Sequence, residues 1–253
     1  MAAPARPFRF AAELHSPIEG SSWADSVREI EALGYSTLFV PDHFDEGLGP
    51  IAAMSTAAVL TTTLNVGSLV FDCDFRHPAV LARELATIDQ LSEGRLEVGL
   101  GAGWKNLDYV RSGIPMDSPK VRVDRMIETV AILRGLFSGE PVTYGGEHFR
   151  ITDLTGTPTP HRPGGPKFLI GGGGKRVLTG LPSLSLPRRS ASLLSCRYCS
   201  QPSLIISTAL RSSRRPRSTS TRSAMDSSVN CSRRRLPISA AVSFCRPCAS
   251  SGG

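Results

Sequence analysis

The residues of this chain that can do chemistry gather at the ends of its apolar runs. Asp42 and His43 come directly after TLFV (37–40) and Pro41. Phe71-Asp72 ends LNVGSLVFD (64–72). Gly99, Gly101 and Gly103 punctuate RLEVGLGAGWKNLDYVRSGIP (95–115), which opens on the apolar 96–100. Four glycines, Gly171, Gly172, Gly173 and Gly174, follow KFLI (167–170). An imidazole titrates near neutrality and can take the proton that leaves an alcohol, so His43 is the candidate general base. Glycines at a strand end remove the Cβ and let a ligand approach the backbone. At a helix start their N–H groups also offer partners to a phosphate. Each pattern has a plainer counterpart: a strand-end cap at Asp42-His43, and tight or flexible turns at Gly101–Trp104 and Gly171–Gly174. His77 before Pro78 reads as a helix start, Trp104 as wall, and Arg122 and Arg125 as a solvated helix face.

The elements that must position these residues alternate. Strands are predicted over 8–14, 37–40, 64–72 (with Gly67 inside), 96–100 and 167–170. Helices are predicted over 23–33, 51–61, 79–91 and 121–137, from apolar positions at helical spacing. Ser22 is the expected N-cap of the first and Gly34 its C-cap. The segment 142–154 reads as a hairpin around Gly145-Gly146. Near-continuously apolar strands between helices require a parallel sheet covered by helices. That leaves an open doubly wound sheet or a (β/α)8 barrel, and both collect chemistry at the carboxyl ends of their strands.

The chain has 253 residues, enough for one α/β barrel or one or two smaller domains. It has no apolar run of membrane-spanning length and no apolar core of signal-peptide length at MAAPARPFRF, so a cytoplasmic protein is expected. The net charge of +7 averages two unlike parts: residues 1–175 hold 16 Lys+Arg against 21 Asp+Glu, whereas 176–253 hold 13 Arg and a single acid, Asp226. Five of the six cysteines and 20 of the 31 serines also lie after residue 175, where Lys and Glu are absent.

The first part resembles the bacterial luciferase-like family of flavin and deazaflavin oxidoreductases. The resemblance rests on ALGYSTLFVPDHF (32–44), RHPAVLARELATIDQLSEGRLEVGLGAGW (76–104), SGIPMDSPKVRVDRMIETVAILRGLFSGEPVTYGGEHFRI (112–151) and PKFLIGGGGKRVL (166–178), in family order across about 8–178. It implies a (β/α)8 TIM barrel with an insertion hairpin, binding coenzyme F420 or, as the alternative, FMN in the barrel mouth. It places Asp42 and His43 beside the ring, and Gly101, Ala102 and Gly103 along the cofactor. It places Gly171, Gly172, Gly173 and Gly174 at the phosphate. It also implies a non-proline cis peptide within Ser68, Leu69, Val70 and Phe71, forming a bulge behind the ring. A small-molecule substrate, no metal, and homodimers among full-length members follow from the same resemblance. Asp108 departs from the Glu that many members carry, which puts an acid role there in doubt.

After residue 178 the family-like text stops, leaving about five of the barrel's eight strands and an Arg/Ser/Pro-rich tail over 179–253, read as non-native or disordered. The run 204–207 (LIIS) is the only tail segment read as a strand candidate. A natural basic tail that binds nucleic acid is one reading of this stretch. A zinc module from Cys196, Cys199, Cys245 and Cys248 is a second, although its two pairs stand far beyond ordinary zinc-ribbon spacing. A shifted reading frame in a GC-rich gene fits the composition best, since such frames give Arg, Ser, Pro, Ala, Gly and Cys with almost no Lys or Glu. The nucleotide sequence around codons 176–182 tests it. The expected result is a second frame that resumes alternating strands and helices, and early stop codons in every other frame would contradict it.

Overall fold

The computed structural model describes residues 9–44, 47–172, 174, 176–177 and 191–194. Six strands form one parallel ladder: β1 (Ala11–Glu13), β2 (Thr37–Val40), β3 (Asn65–Ser68), β5 (Leu96–Gly101), β8 (Lys167–Gly171) and β9 (Ala191–Leu194), in that spatial order. The two-residue β4 (Phe71–Asp72) also pairs in parallel with β5. Between them run α1 (Trp23–Ala32), α2 (Pro50–Leu60), α3 (Pro78–Leu91), α4 (Asn106–Ser112) and α5 (Pro119–Leu136). An antiparallel hairpin, β6 (Pro141–Gly145) and β7 (Arg150–Thr155), stands apart as its own small sheet.

The order of the strands decides between the two architectures. Spatial order follows chain order from β1 to β9 without reversal. A doubly wound sheet needs a reversal, because that is how its helices reach both faces. Crossovers of one hand with no reversal put every helix on one face and curl the sheet toward a barrel. The strands are accordingly apolar on both sides: Leu38, Val40, Val66, Leu96, Val98, Leu100, Phe168 and Ile170 are all buried. The helices lay Val27, Ile30, Met54, Ala57, Leu81, Leu85, Ile88, Met126, Val130 and Leu133 against them. Among the described residues no helix is long and apolar enough to cross a membrane.

Three elements differ from the sequence expectation. The third strand, expected over 64–72, is split into β3 and β4 by a cis peptide between Leu69 and Val70. The turn after Trp104 continues into α4, whose seven residues are too few to show a helical period. Strand β9 lies within the stretch read as a tail, paired with β8 from Phe168↔Ala191 to Gly171↔Leu194. Four residues carry no recognisable alternation, and the open parallel edge of β8 supplies the pairing. The candidate strand at 204–207 lies outside the described residues.

Two charged side chains bolt α2 to the sheet. Arg95, just ahead of β5, donates to the Leu64 carbonyl (2.5 Å), the Ala58 carbonyl (2.7 Å) and both oxygens of Thr61 (3.0 and 3.2 Å). These include carbonyls at the carboxyl end of α2, where the helix leaves acceptors unpaired and a cation complements the dipole. Glu31 answers from α1, with one oxygen accepting from the Thr62, Thr63 and Leu64 amides and the Thr63 hydroxyl. Burial opposes its charge, but these hydrogen bonds outweigh it and pull the Glu31 carboxyl down to about 2. Replacing Arg95 by Met keeps the aliphatic stem and removes every one of its hydrogen bonds, so a loss of about 2–3 kcal/mol is expected in urea unfolding. An unchanged midpoint would remove Arg95 from this role.

Candidate active site

Residues beyond the carboxyl ends of β2 and β5 meet at one imidazole. His43 stands three residues past β2, and its Nδ1 lies 2.6 Å from Oδ2 of Asp108. Asp108 lies in the first turn of α4 and is 2% exposed, and its Oδ1 accepts from the Phe44 amide at 3.2 Å. A carboxylate in that position fixes the ring through Nδ1–H and leaves the lone pair on Nε2. The Trp104 ring meets His43 edge-on, with centroids 5.8 Å apart, while the indole remains 69% exposed. Glu13, at the end of β1, adds a second carboxyl: burial pushes it up, and the His43 charge works against that rise.

Asp42 does different work from its neighbour. Both of its oxygens are taken by the Arg76 guanidinium, at 2.6 and 3.0 Å, and Oδ2 also accepts from the Asp72 amide at 3.1 Å. Asp42 therefore ties the ends of β2 and β4 together, and its carboxylate is already fully engaged by the chain. The bidentate fork makes Arg76 poorly replaceable by lysine.

The glycines make room for the chain's own residues. The cis peptide Leu69–Val70 lies within the four residues named from sequence. It turns Val70 onto β5 and β8, where a Cβ at Gly101 would come 2.6 Å from Val70 Cγ2 and one at Gly171 would come 3.2 Å from it. A Cβ at Gly99 would lie 2.0 Å from the Ser68 carbonyl oxygen. Gly103 has a φ of +70°, and a Cβ there would lie 1.8 Å from the Tyr109 hydroxyl and 2.4 Å from Asp72 Oδ2. Ser68 itself is fully buried, and its hydroxyl has no hydrogen-bond partner among the described residues. Gly172, with φ +132°, and the exposed Gly174 follow β8, whereas Gly173 lies outside the described residues.

Arg122 and Arg125 are not a solvated face. Arg122 is buried and donates to the carbonyls of Ala102 (2.7 Å), Gly103 and Asp117 (3.0 Å). Arg125 bridges Asp74 and Asp117, at 2.5 Å each. Both sit on the α5 turns that pass under the β5–α4 loop, so the loop carbonyls and carboxylates draw them inward. His77 is the helix start expected of it, with Nδ1 accepting from the Ala79 amide at 3.3 Å. The sequence reading missed Glu13, Arg76 and Tyr109. The bond between Asp108 and His43 spans 65 positions, so no local motif carries it.

A one-way wound parallel sheet with a carboxylate-backed imidazole at its strand ends has the architecture of a (β/α) barrel. The sequence model of the luciferase-like monooxygenase family matches residues 5–179, and the chain belongs to that family. It is 32% identical over 160 residues to the F420-dependent glucose-6-phosphate dehydrogenase of Intrasporangium calvum, covering 59% of this chain and 47% of that one. The chain thus spans about half the length of the curated relatives it matches. The coenzyme F420-dependent tetrahydromethanopterin reductase of Methanopyrus kandleri shares the fold, with TM-score 0.62 over 69% of this chain and 53% of its own, at 20% identity. So does the oxygenating constituent of 3,6-diketocamphane monooxygenase from Pseudomonas putida in complex with FMN, with TM-score 0.55 over 65% and 51%, at 19% identity.

The packing of Val70 over glycine is directly testable. Gly101→Ala forces a methyl into Val70 and is expected to cost about 1–3 kcal/mol. Val70→Ala vacates that space, so the double variant should recover at least half of the loss in a thermodynamic cycle. Strictly additive losses would show that the two positions do not compete for the same space.

Proposed function

We propose that this chain builds the base-bearing half of a deazaflavin-dependent oxidoreductase site, acting on a small-molecule alcohol or hemiacetal with coenzyme F420. The observation that carries the reading is the 2.6 Å bond between His43 Nδ1 and the buried Asp108. Nε2 is left to take a hydroxyl proton, and Asp108 stabilises the imidazolium that results. The Glu13 carboxyl adds negative potential on the same side, and Trp104 closes over the ring edge. A bound deazaflavin supplies the hydride-accepting carbon. The residues present suit such a group. The buried, unpartnered Ser68 hydroxyl can meet a polar ring edge, the Leu69–Val70 bulge gives an apolar backing, and the backbone at Gly171, Gly172 and Gly174 suits a phosphate. Asp42 serves this site by fixing the strand end that carries His43.

FMN with monooxygenase chemistry is the second reading, favoured by the family's description and by the FMN-bound neighbour. We also propose that this chain is impaired. The family match ends at residue 179, and after it β9 alone joins the ladder among the described residues. An unclosed barrel leaves the mouth open to water.

Fluorescence titration of the full chain with F420 and with FMN tests these readings together. Quenching of the deazaflavin is expected, with Kd above about 1 μM, weakened about tenfold by Ser68→Val. His43→Gln should leave that Kd within about threefold and slow single-turnover reduction by about 10²–10⁴. Preferential FMN binding would transfer the assignment to the second reading. A sub-micromolar Kd with ordinary turnover would remove the impairment, and no binding of either would overturn the assignment.

A further inference from the structure

The Tyr109 hydroxyl sits between two carboxyl groups, 2.6 Å from Asp72 Oδ2 and 3.0 Å from Asp74 Oδ2. A phenol has one proton to donate. Both contacts are hydrogen bonds at full strength only if one of the carboxyls brings a proton of its own. Asp74 is paired with Arg125, 2.5 Å from its other oxygen. Among the described residues Asp72 has no cation of its own, because Arg76 is committed to Asp42, and its Oδ1 accepts the Asp74 amide at 3.0 Å. The proton therefore belongs on Asp72, giving a chain in which Asp72 donates to Tyr109 and Tyr109 to Asp74, while Arg125 donates to Asp74 from the other side.

We infer that Asp72 is a proton-carrying positioning residue: its protonated form lets Tyr109 grip Asp74, and this grip sets α4 so that Asp108 meets His43. When Asp72 ionises, the phenol proton turns to Asp72, and two oxygens carrying only lone pairs face each other between Tyr109 and Asp74. Tyr109 and Asp108 are adjacent on α4, so the helix turn that loses this grip is the one that aims Asp108. The far side of the chain is anchored, since Arg125 also holds Asp117 and Arg122 holds the Ala102 and Gly103 carbonyls. A Cβ at Gly103 would overlap both the Tyr109 hydroxyl and Asp72 Oδ2, so the loop leaves no slack there.

The charges that face Asp72 are Asp42 with Arg76 from the ends of β2 and β4, Asp74 and the Cys73 thiol beside it, Tyr109 from α4, and Arg125 from α5. Burial comes first among the causes and, with the Asp74 and Asp42 charges, outweighs the opposing hydrogen bonds, pushing the Asp72 carboxyl up to about 6. The folded value lies above the ordinary 3.8, so the stability Asp72 contributes is full below that value and is lost as pH rises through about 6. Burial, and then Asp72, likewise push the Tyr109 phenol up.

The inference rests on the assignment of His43 as the base, yet it can be read without cofactor or substrate. In the full chain, carbon-13 shifts of the aspartate carboxyls and nitrogen-15 shifts of His43 are followed from pH 4 to 8. One carboxyl is expected to titrate near pH 6, and the His43 ring shifts are expected to carry a second component at that same midpoint, besides the imidazole's own. Asp72→Asn should abolish both, and Tyr109→Phe should keep the carboxyl titration while uncoupling it from His43. If no carboxyl titrates above about pH 5 in the unaltered chain, or if the second His43 component persists in either variant, the inference is overturned. A chain that reduces deazaflavin while lacking this titration would fail the inference and leave the functional assignment standing.

Discussion

The hydrogen bond from His43 to Asp108 is the constraint on which the site depends. It joins the end of β2 to the first turn of α4, two elements far apart in sequence, and it works only if both ends are immobile. The surrounding polar groups supply that immobility. Asp42 and Arg76 fix the strand end that carries His43. Arg122, Arg125, Tyr109 and Asp72 fix the loop and helix that carry Asp108. Nearly every charged side chain at this end of the sheet is paired, as burial of charge requires. Among the described residues the buried Ser68 hydroxyl, beside the bulge, has no hydrogen-bond partner.

The bulge explains the glycines in a way that a local motif does not. The sequence reading took Gly101 and Gly103 as places where a ligand nears the backbone. In the fold, Val70 fills the space at Gly101, and Tyr109 with Asp72 fills it at Gly103. The glycines are thus a requirement of the third strand and of α4. By receiving Val70, Gly101 lets the bulge stand against β5. Strand-end glycine is a real signal of crowding, and one sequence cannot say whether a ligand or a side chain does the crowding.

Legibility followed the range of the interaction. Strand β2, the start of α1 at its Ser22 N-cap, the hairpin and the cis bond within 68–71 were legible because period, capping chemistry and the family motif are local. The choice between an open sheet and a barrel was legible through the family motifs alone, since the alternation of elements does not carry strand order. His43 was found as a type of residue, but its partner was not. Asp108 looked like a departure from pattern, and the contact that gives it meaning spans most of the sheet. Arg122 and Arg125 were misread for a related reason. On a helix of mixed polarity an arginine reads as solvated, and only the loop folded over it turns it inward. Glu13 and Tyr109 carried no signal at all, because each acts through neighbours from other elements.

The account stands on the state of one ring. A two-bond proton–nitrogen spectrum of histidine-labelled full chain at pH 8, where an ordinary imidazole is neutral, reads it directly. The expected result is a proton on Nδ1 of His43, held by Asp108, with Nε2 bare, and loss of that preference in Asp108→Asn. A proton on Nε2 in the unaltered chain, or a preference that survives Asp108→Asn, would contradict the assignment of His43 as the base.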